Sequence, residues 1–397
     1  MKKYNRITPE GTRDLLFEEC STRRDVEKKI KSVFLARGFN EVLTPSLEYF
    51  DVFATKSAGI PAELMYKLTD NKGRIMVLRP DSTMPIARLT ATRLQDSLCP
   101  LRLFYTQRVY CNNPSLTGRS DETVQAGVEL IGAGGKRADL EVMTTAVEAL
   151  SHCVTDFRLE LGHAGYFKCI AERLSVDEDT LEEIRACIEN KNYTALDEIL
   201  DGQPPSEAVT AMKKLPRLFG GVEVLDEAAA VFSDERSVTM LAYLRDMYND
   251  LSQMGLGGKL IIDLGLVQRN DYYTDLIFQG YTTGSGEAVL SGGRYDNLLR
   301  EFGAPMPAVG FALNVDVLTK IALSIQEPVL PSADVLVHGL DGYETAAFAH
   351  FSALLHEGFV CEHSVFETET QATEYARKKD ISRIDVVSDT ISVINLK

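Results

Sequence analysis

Three short stretches carry side chains suited to holding a small zwitterion. Leu78-Arg-Pro-Asp-Ser-Thr83 ends in a carboxylate and a hydroxyl within one turn. Val124-Gln-Ala-Gly-Val-Glu-Leu130 alternates polar and apolar residues. On a strand, Gln125, Gly127 and Glu129 share one face, and Ala126, Val128 and Leu130 share the other. A glycine between an amide and a carboxylate lets a ligand approach the backbone closely. Tyr272-Tyr273 add amphipathic rings that can line a pocket and hydrogen-bond a polar group. Each stretch also has a plainer reading. The alternating run fits an exposed amphipathic strand, Ser82 or Thr83 fits a helix N-cap, and the tyrosines fit a core. On a strand spanning 272–281, adjacent tyrosines face opposite ways, so one of the two would face a ligand.

Bond-making chemistry finds little support. The seven cysteines include no C-x-x-C pair, and the six histidines form no H-E-x-x-H or His-x-His group. The chain therefore reads as a reduced protein with no metal site and no cofactor motif. A phosphoribosyl-diphosphate loop, an acidic pair in an apolar strand followed by a Thr-Gly turn, is also missing. The net charge of −16 disfavours a general nucleic-acid binder. The N-terminus MKKYNRITPEGTRD lacks an apolar segment, and no apolar run reaches the roughly 18 residues of a membrane helix. These features point to a soluble cytoplasmic chain with no membrane association.

The elements that must position these residues follow from periodicity. Apolar Val26, Ile30, Val33 and Phe34 predict a helix over 19–37 that ends at Gly38. Residues 39–45 and 74–78 predict strands, and 84–95 a helix. Strands follow at 101–111 and 123–131, then a helix at 139–151. About 170–255 is rich in Glu, Asp, Lys, Leu and Ala with helical spacing and reads as a helical insertion. Strands return at 259–264, 272–281 and 287–291, before an apolar stretch at 308–325. A proline-bearing linker at 326–332 precedes a tail of alternating strands and helices, a small α/β domain at 333–397.

In order along the chain, Leu78-Arg-Pro-Asp-Ser-Thr83, Gly118-Arg119 with Val124–Gly132, Leu266–Thr274, Ser291-Gly-Gly-Arg-Tyr-Asp296 and Pro307–Ala312 resemble the motifs of histidyl-tRNA synthetase and its paralogues. The resemblance spans about 5–325. It implies an α+β fold: a class II aminoacyl-tRNA synthetase-like antiparallel sheet flanked by helices over 1–325, interrupted by the helical insertion. It also implies that Asp81 and Thr83 hold the amino group of histidine. Gln125, Glu129, Tyr272 and Tyr273 would complete that pocket, with Tyr273 the better family match. Asp81 stands for a glutamate of the family and reaches one methylene less.

The departures from the pattern point elsewhere. The motif 2 and motif 3 arginines that hold ATP phosphates are replaced by Cys111 and Val317. Gln268 and Arg269 replace an Arg-Gly pair, and Asp121 replaces a further arginine. Without these cations, charge on the transferring phosphorus is not stabilised. A histidine pocket without activation chemistry is similar to the regulatory subunits of short-form ATP phosphoribosyltransferase, which acts at the first step of histidine biosynthesis. That likeness implies a non-catalytic chain, a short catalytic partner subunit, L-histidine as ligand, and a homodimer within a larger hetero-oligomer. The short tail and the acidity disfavour tRNA. The competing expectations are an active histidyl-tRNA synthetase, another synthetase paralogue, and a scaffold that binds no histidine.

Overall fold

The computed structural model describes residues 4–55, 59–114, 118–267, 272–325 and 332–396. The chain divides into two compact units, Met1–Gln326 and Glu327–Lys397.

The first unit opens with helix α1 (Phe17–Ala36). Its buried residues, Val26, Ile30, Val33 and Phe34, recur at one-turn spacing, and Gly38 beyond its end adopts φ +78°. That left-handed conformation favours glycine. Strands β1 (Asn40–Glu41), β2 (Leu47–Tyr49), β3 (Lys67–Thr69) and β4 (Ile75–Leu78) follow. The strand expected at 39–45 thus shrinks to two paired residues. Strands β2, β4 and β3 form a small antiparallel sheet.

Next come helix α2 (Thr83–Arg93), strands β5 (Leu101–Tyr110) and β6 (Glu122–Ile131), and helix α3 (Lys136–Ser151). Strand β7 (Phe157–His163) was not anticipated, although Phe157, Leu159 and Leu161 alternate. The helical middle consists of α4 (Ala164–Ala171), α5 (Glu178–Glu189), α6 (Tyr193–Asp201), α7 (Glu207–Lys214), the short strand β8 (Phe219–Gly220), α8 (Val224–Val231) and α9 (Glu235–Leu251). Strands β9 (Leu260–Asp263), β10 (Leu276–Thr282), β11 (Leu290–Arg294) and β12 (Ala308–Asn314) lead into α10 (Val315–Ile325).

Nine strands form one sheet in the order β1-β5-β6-β12-β11-β10-β7-β9-β8. The run from β5 to β7 is antiparallel throughout; β1–β5 and β7–β9 are parallel pairs. One face packs against helices. Phe34 of α1 meets Phe104 of β5 at 5.6 Å and Phe311 of β12 at 5.8 Å between ring centroids. Ala126, Val128 and Leu130 lie on this face and are fully buried. A buried apolar side chain of this size contributes roughly 1.5–3 kcal/mol. On β6 the opposite face carries Gln125, Gly127 and Glu129.

The second unit contains β13 (Val335–Gly339), α11 (Glu344–His356), β14 (Cys361–His363), α12 (Glu369–Lys378), β15 (Arg383–Val387) and β16 (Ile391–Asn395). Its sheet runs β14-β13-β15-β16; the first three strands are parallel and β16 is antiparallel. The tail pattern predicted the parallel strands and both helices but not β16. The linker expected at 326–332 lies, apart from Ser332, outside the described residues.

Candidate functional site

Strand register assembles a cluster on the polar face of the large sheet. Leu103 of β5, Glu129 of β6, Gly310 of β12 and Gly293 of β11 are successive cross-strand partners. Tyr105 stands opposite Gly127 one step along. The glycines make room for the groups above them. A Cβ on Gly310 would lie 1.8 Å from Glu129 Oε2, and one on Gly293 would lie 2.6 Å from Tyr273 Cδ1. A Cβ on Gly127 would lie 2.6 Å from the Tyr105 hydroxyl.

Glu129 is the centre. It is 1% exposed. Thr83 donates its hydroxyl to Oε1 at 2.8 Å, and Tyr295 donates its hydroxyl to Oε2. Burial pushes its carboxyl up to about 8 against the pull of those two donors. Asp81 adds a nearby carboxyl, itself raised by burial to about 6. Two neighbouring acids in a dry site favour the neutral form of at least one, and a ligand cation would reverse that preference.

Asp81 also accepts a hydrogen bond from the Met84 backbone N–H at 2.8 Å. It therefore caps α2, the role sequence alone offered to Ser82 or Thr83. The Ser82 side chain makes no cap bond, and the Thr83 hydroxyl turns to Glu129 instead.

The tyrosine pair corrects the strand argument. Strand β10 begins at Leu276, so Tyr272 and Tyr273 precede it. Free of strand alternation, both rings turn inward, with centroids 4.6 Å apart, and Tyr272 meets Tyr295 at 5.7 Å. All three are buried in one cluster with Tyr105. Tyr105 and Tyr295 were missed from sequence. Tyr295 sits within the quoted Ser291–Asp296 motif, and only strand register shows Tyr105 opposite Gly127. Gln125 lies on the same face but four residues from Glu129, roughly 13 Å along the strand. It is half-buried, between Gln107 and Asn314. The structure thus gathers Asp81, Thr83, Glu129, Tyr272 and Tyr273, and leaves Gln125 at the far end.

The positions that depart from the synthetase pattern are occupied by structural contacts. The Cys111 N–H donates to the Asp121 carbonyl at 2.8 Å. Asp121 receives the Tyr66 hydroxyl and the Asn113 N–H. Val317 donates its N–H to Asn314 Oδ1 at 3.2 Å. Beside it, Asp316 pairs with Arg23 at 2.6 Å and accepts from the Val124 N–H at 2.6 Å. Val317 lines a cleft of about 770 Å³. Among the described residues it is lined by three cations, Arg119, Lys191 and Lys320, and three carboxylates, Glu189, Glu287 and Asp316, the last already paired with Arg23. Gln268 and Arg269 lie outside the described residues.

Residues 11–318 match the histidyl-tRNA synthetase family model. A chain from Clostridium kluyveri is 40% identical, over 97% of this chain and all of the relative, and is named ATP phosphoribosyltransferase regulatory subunit. The chain belongs to this family. A regulatory subunit from Bacillus mycoides is 39% identical over 97% of this chain and 92% of its own length. The solved structure of an ATP phosphoribosyltransferase regulatory subunit/histidyl-tRNA synthetase from Bacillus halodurans superposes with a TM-score of 0.83 at 29% identity. It covers 97% of this chain and 99% of its own. Histidyl-tRNA synthetase from Nostoc, at 20% identity and TM-score 0.77, shares the fold. The class II synthetase-like α+β architecture expected from the motifs is the architecture of this regulatory-subunit family. Among the described residues, no helix is long and apolar enough to cross a membrane.

Proposed function

We propose that this regulatory subunit binds L-histidine on the polar face of its sheet and reports it to a separate, short catalytic subunit of ATP phosphoribosyltransferase. One observation carries the reading: Glu129 is a fully buried carboxyl ringed by Thr83, Tyr295, Tyr272 and Tyr273, with Asp81 close by. Acid supplied by Asp81 and Glu129 suits the cationic end of an amino acid. The tyrosines suit a flat polar ring. Gln125 contributes at the edge of the same face.

The chain itself performs no adenylation in this reading. Cys111 and Val317 offer phosphate neither charge nor a forked donor. Phosphoribosyl transfer takes place on the partner, in a cytoplasmic complex. Calorimetry should show histidine binding in preference to glutamine and lysine, and pure chain with ATP and histidine should give no pyrophosphate exchange. Equal binding of the three amino acids would remove the pocket. Measurable exchange would restore the synthetase.

The chain alone forms a homodimer in this reading. Leu47 and Tyr49, both over 40% exposed, lie on one face of the β2-β4-β3 sheet, and Leu43 nearby is 78% exposed. Such apolar surface is normally covered, and an isologous two-fold interface is the commonest way to cover it. Light scattering should give a mass near twice 44.0 kDa. A monomer at micromolar concentration contradicts it.

A further inference from the structure

A cleft of about 790 Å³ opens between α1, β1 and β5. None of Asp81, Thr83, Glu129, Tyr272 and Tyr273 lines it. Among the described residues its lining holds six cations and two carboxylates. Arg24 and Lys31 pair with those two acids, Glu27 at 2.6 Å and Glu41 at 2.5 Å. Arg23 and Arg108 pair with Asp316 and Glu122, outside the lining, at 2.6 and 2.7 Å. Lys28 and Arg79 have no carboxylate partner among the described residues. A chain of net charge −16 thus keeps two unpaired cations at one cleft.

Arg79 is the independent sign of a ligand. It is 3% exposed. Burial works against its charge, yet a guanidinium stays protonated in a protein. Its Nε donates to the Arg108 carbonyl at 2.7 Å, and Nη1 to the Thr44 and Pro45 carbonyls at 2.6 and 3.0 Å. These bonds hold the guanidinium still but bring no opposite charge. Nη2 is left without a partner among the described residues and is open to the cleft that Arg79 lines. A buried charge is ordinarily paired.

The wall around it is short of acceptors in the same way. Arg23 Nε, Thr106 Oγ1 and Gln107 Nε2 all belong to lining residues, and all are buried with no hydrogen bond. Glu27 Oε1, at 3.8 Å from Arg23 Nε, is too far. Gln107 accepts the Thr44 N–H on Oε1 at 3.4 Å, which leaves its amide nitrogen as the spare group. Every one of these groups can donate. Leftover donors beside unpaired cations call for a ligand that is anionic and rich in acceptor oxygens.

We propose that this cleft binds a small phosphorylated molecule carrying at least two negative charges. A phosphoryl oxygen accepts from Arg79 Nη2, and Lys28 supplies the second positive charge. The volume is that of a small-molecule site, so the remainder of the molecule fits beside Leu35 and Tyr110. Leu43, part of the surface assigned above to the dimer, shares this lining, so in that dimer a second copy borders the cleft. The proposal does not rest on the histidine reading.

The test is calorimetry on the full chain, in its own assembly, in metal-free chloride buffer with pyrophosphate as probe. Pyrophosphate should bind saturably, once per chain, and malonate at equal ionic strength should bind at least about tenfold more weakly. Arg79→Gln should weaken pyrophosphate about tenfold or more, the loss of a buried charge-assisted contact. Lys28 is exposed, so Lys28→Gln should cost about threefold and Lys28→Glu about tenfold. Arg93→Gln, exposed at the end of α2 and outside the cleft, removes the same charge and should change nothing. Circular dichroism melts show whether Arg79→Gln folds; if it does not, the Lys28 pair decides. Absence of saturable binding overturns the proposal. So does malonate binding as tightly as pyrophosphate, or Lys28→Glu behaving like Arg93→Gln.

Discussion

Complexes rebuilt with the Glu129→Gln chain are expected to keep their phosphoribosyltransferase activity and to lose its inhibition by histidine. Removing the charged partner of a buried, hydrogen-bonded cation typically costs about 2–5 kcal/mol, so the inhibition curve should shift by roughly 30-fold or more. Tyr273→Phe removes one hydroxyl, worth about 0.5–1.5 kcal/mol, and should shift the curve tenfold or less. Any effect on the partner needs a coupling free energy, typically about 1–3 kcal/mol, and that coupling is reciprocal. An unmoved curve for Glu129→Gln would place the histidine elsewhere.

The same residue predicts two pH effects. In the free protein burial holds Glu129 near 8, so at neutral pH it mostly keeps its proton. A bound cation demands the carboxylate. Histidine binding should therefore release a proton and tighten as pH rises towards 8, which calorimetry in buffers of different ionisation enthalpy can read. For stability the sign is opposite. A carboxyl raised in the fold from its ordinary 4.5 to about 8 favours folding below 4.5, and that contribution is lost as pH rises through 8. Asp81, raised to about 6, acts in the same direction. The melting temperature should fall from about pH 5 to pH 9. Glu129→Gln should flatten the fall, because its amide stands in for the protonated acid beside the Thr83 and Tyr295 hydroxyls.

The second large effect concerns folding. Arg294 and Asp139 are 4% and 1% exposed at their side chains and bond at 2.6 Å. Arg294 also donates to the Ala133 and Gly135 carbonyls, and Tyr243 donates its hydroxyl to Asp139. Arg294→Ala should destabilise the chain by about 3–5 kcal/mol, because it strands a buried carboxylate with only Tyr243 to satisfy it. Burial already pushes Asp139 towards its neutral form, and losing Arg294 pushes it further. Urea unfolding would measure the loss. Adding Asp139→Leu should recover much of it, since no buried charge is then left unpaired; Asp296, the other partner of Arg294, is 36% exposed at its side chain. Failure to recover would assign the loss to the missing guanidinium bonds instead.

Local periodicity made much of this legible. The 2.0 period of 124–130 separated Glu129 from Val128, and the helical spacing of Val26, Ile30, Val33 and Phe34 located α1. Register between distant strands was not legible. Nothing near Glu129 in sequence announces that Gly310 must lack a side chain, or that Tyr295 supplies the second hydroxyl. The tyrosine pair failed for a specific reason: strand boundaries are set by pairing partners, and β10 finds its partners only from Leu276. Gln125 lies on the face that alternation assigned to it, four residues along the strand from Glu129, which sets it at the edge of the cluster.

Asp81 holds the end of α2 with the carboxylate it offers to the pocket. Selection on the fold alone would therefore preserve an acceptor at this position, whether or not an amino acid is ever bound. A descendant that abandoned histidine would still resist losing Asp81, because Ala there would leave the Met84 amide without its partner. Glu129 has no such second employment: it ends no helix, and burial disfavours its ionised form. In a lineage drifting away from ligand control, position 129 should turn apolar first while position 81 stays acidic, so an acid at 81 alone records the helix and not the ligand.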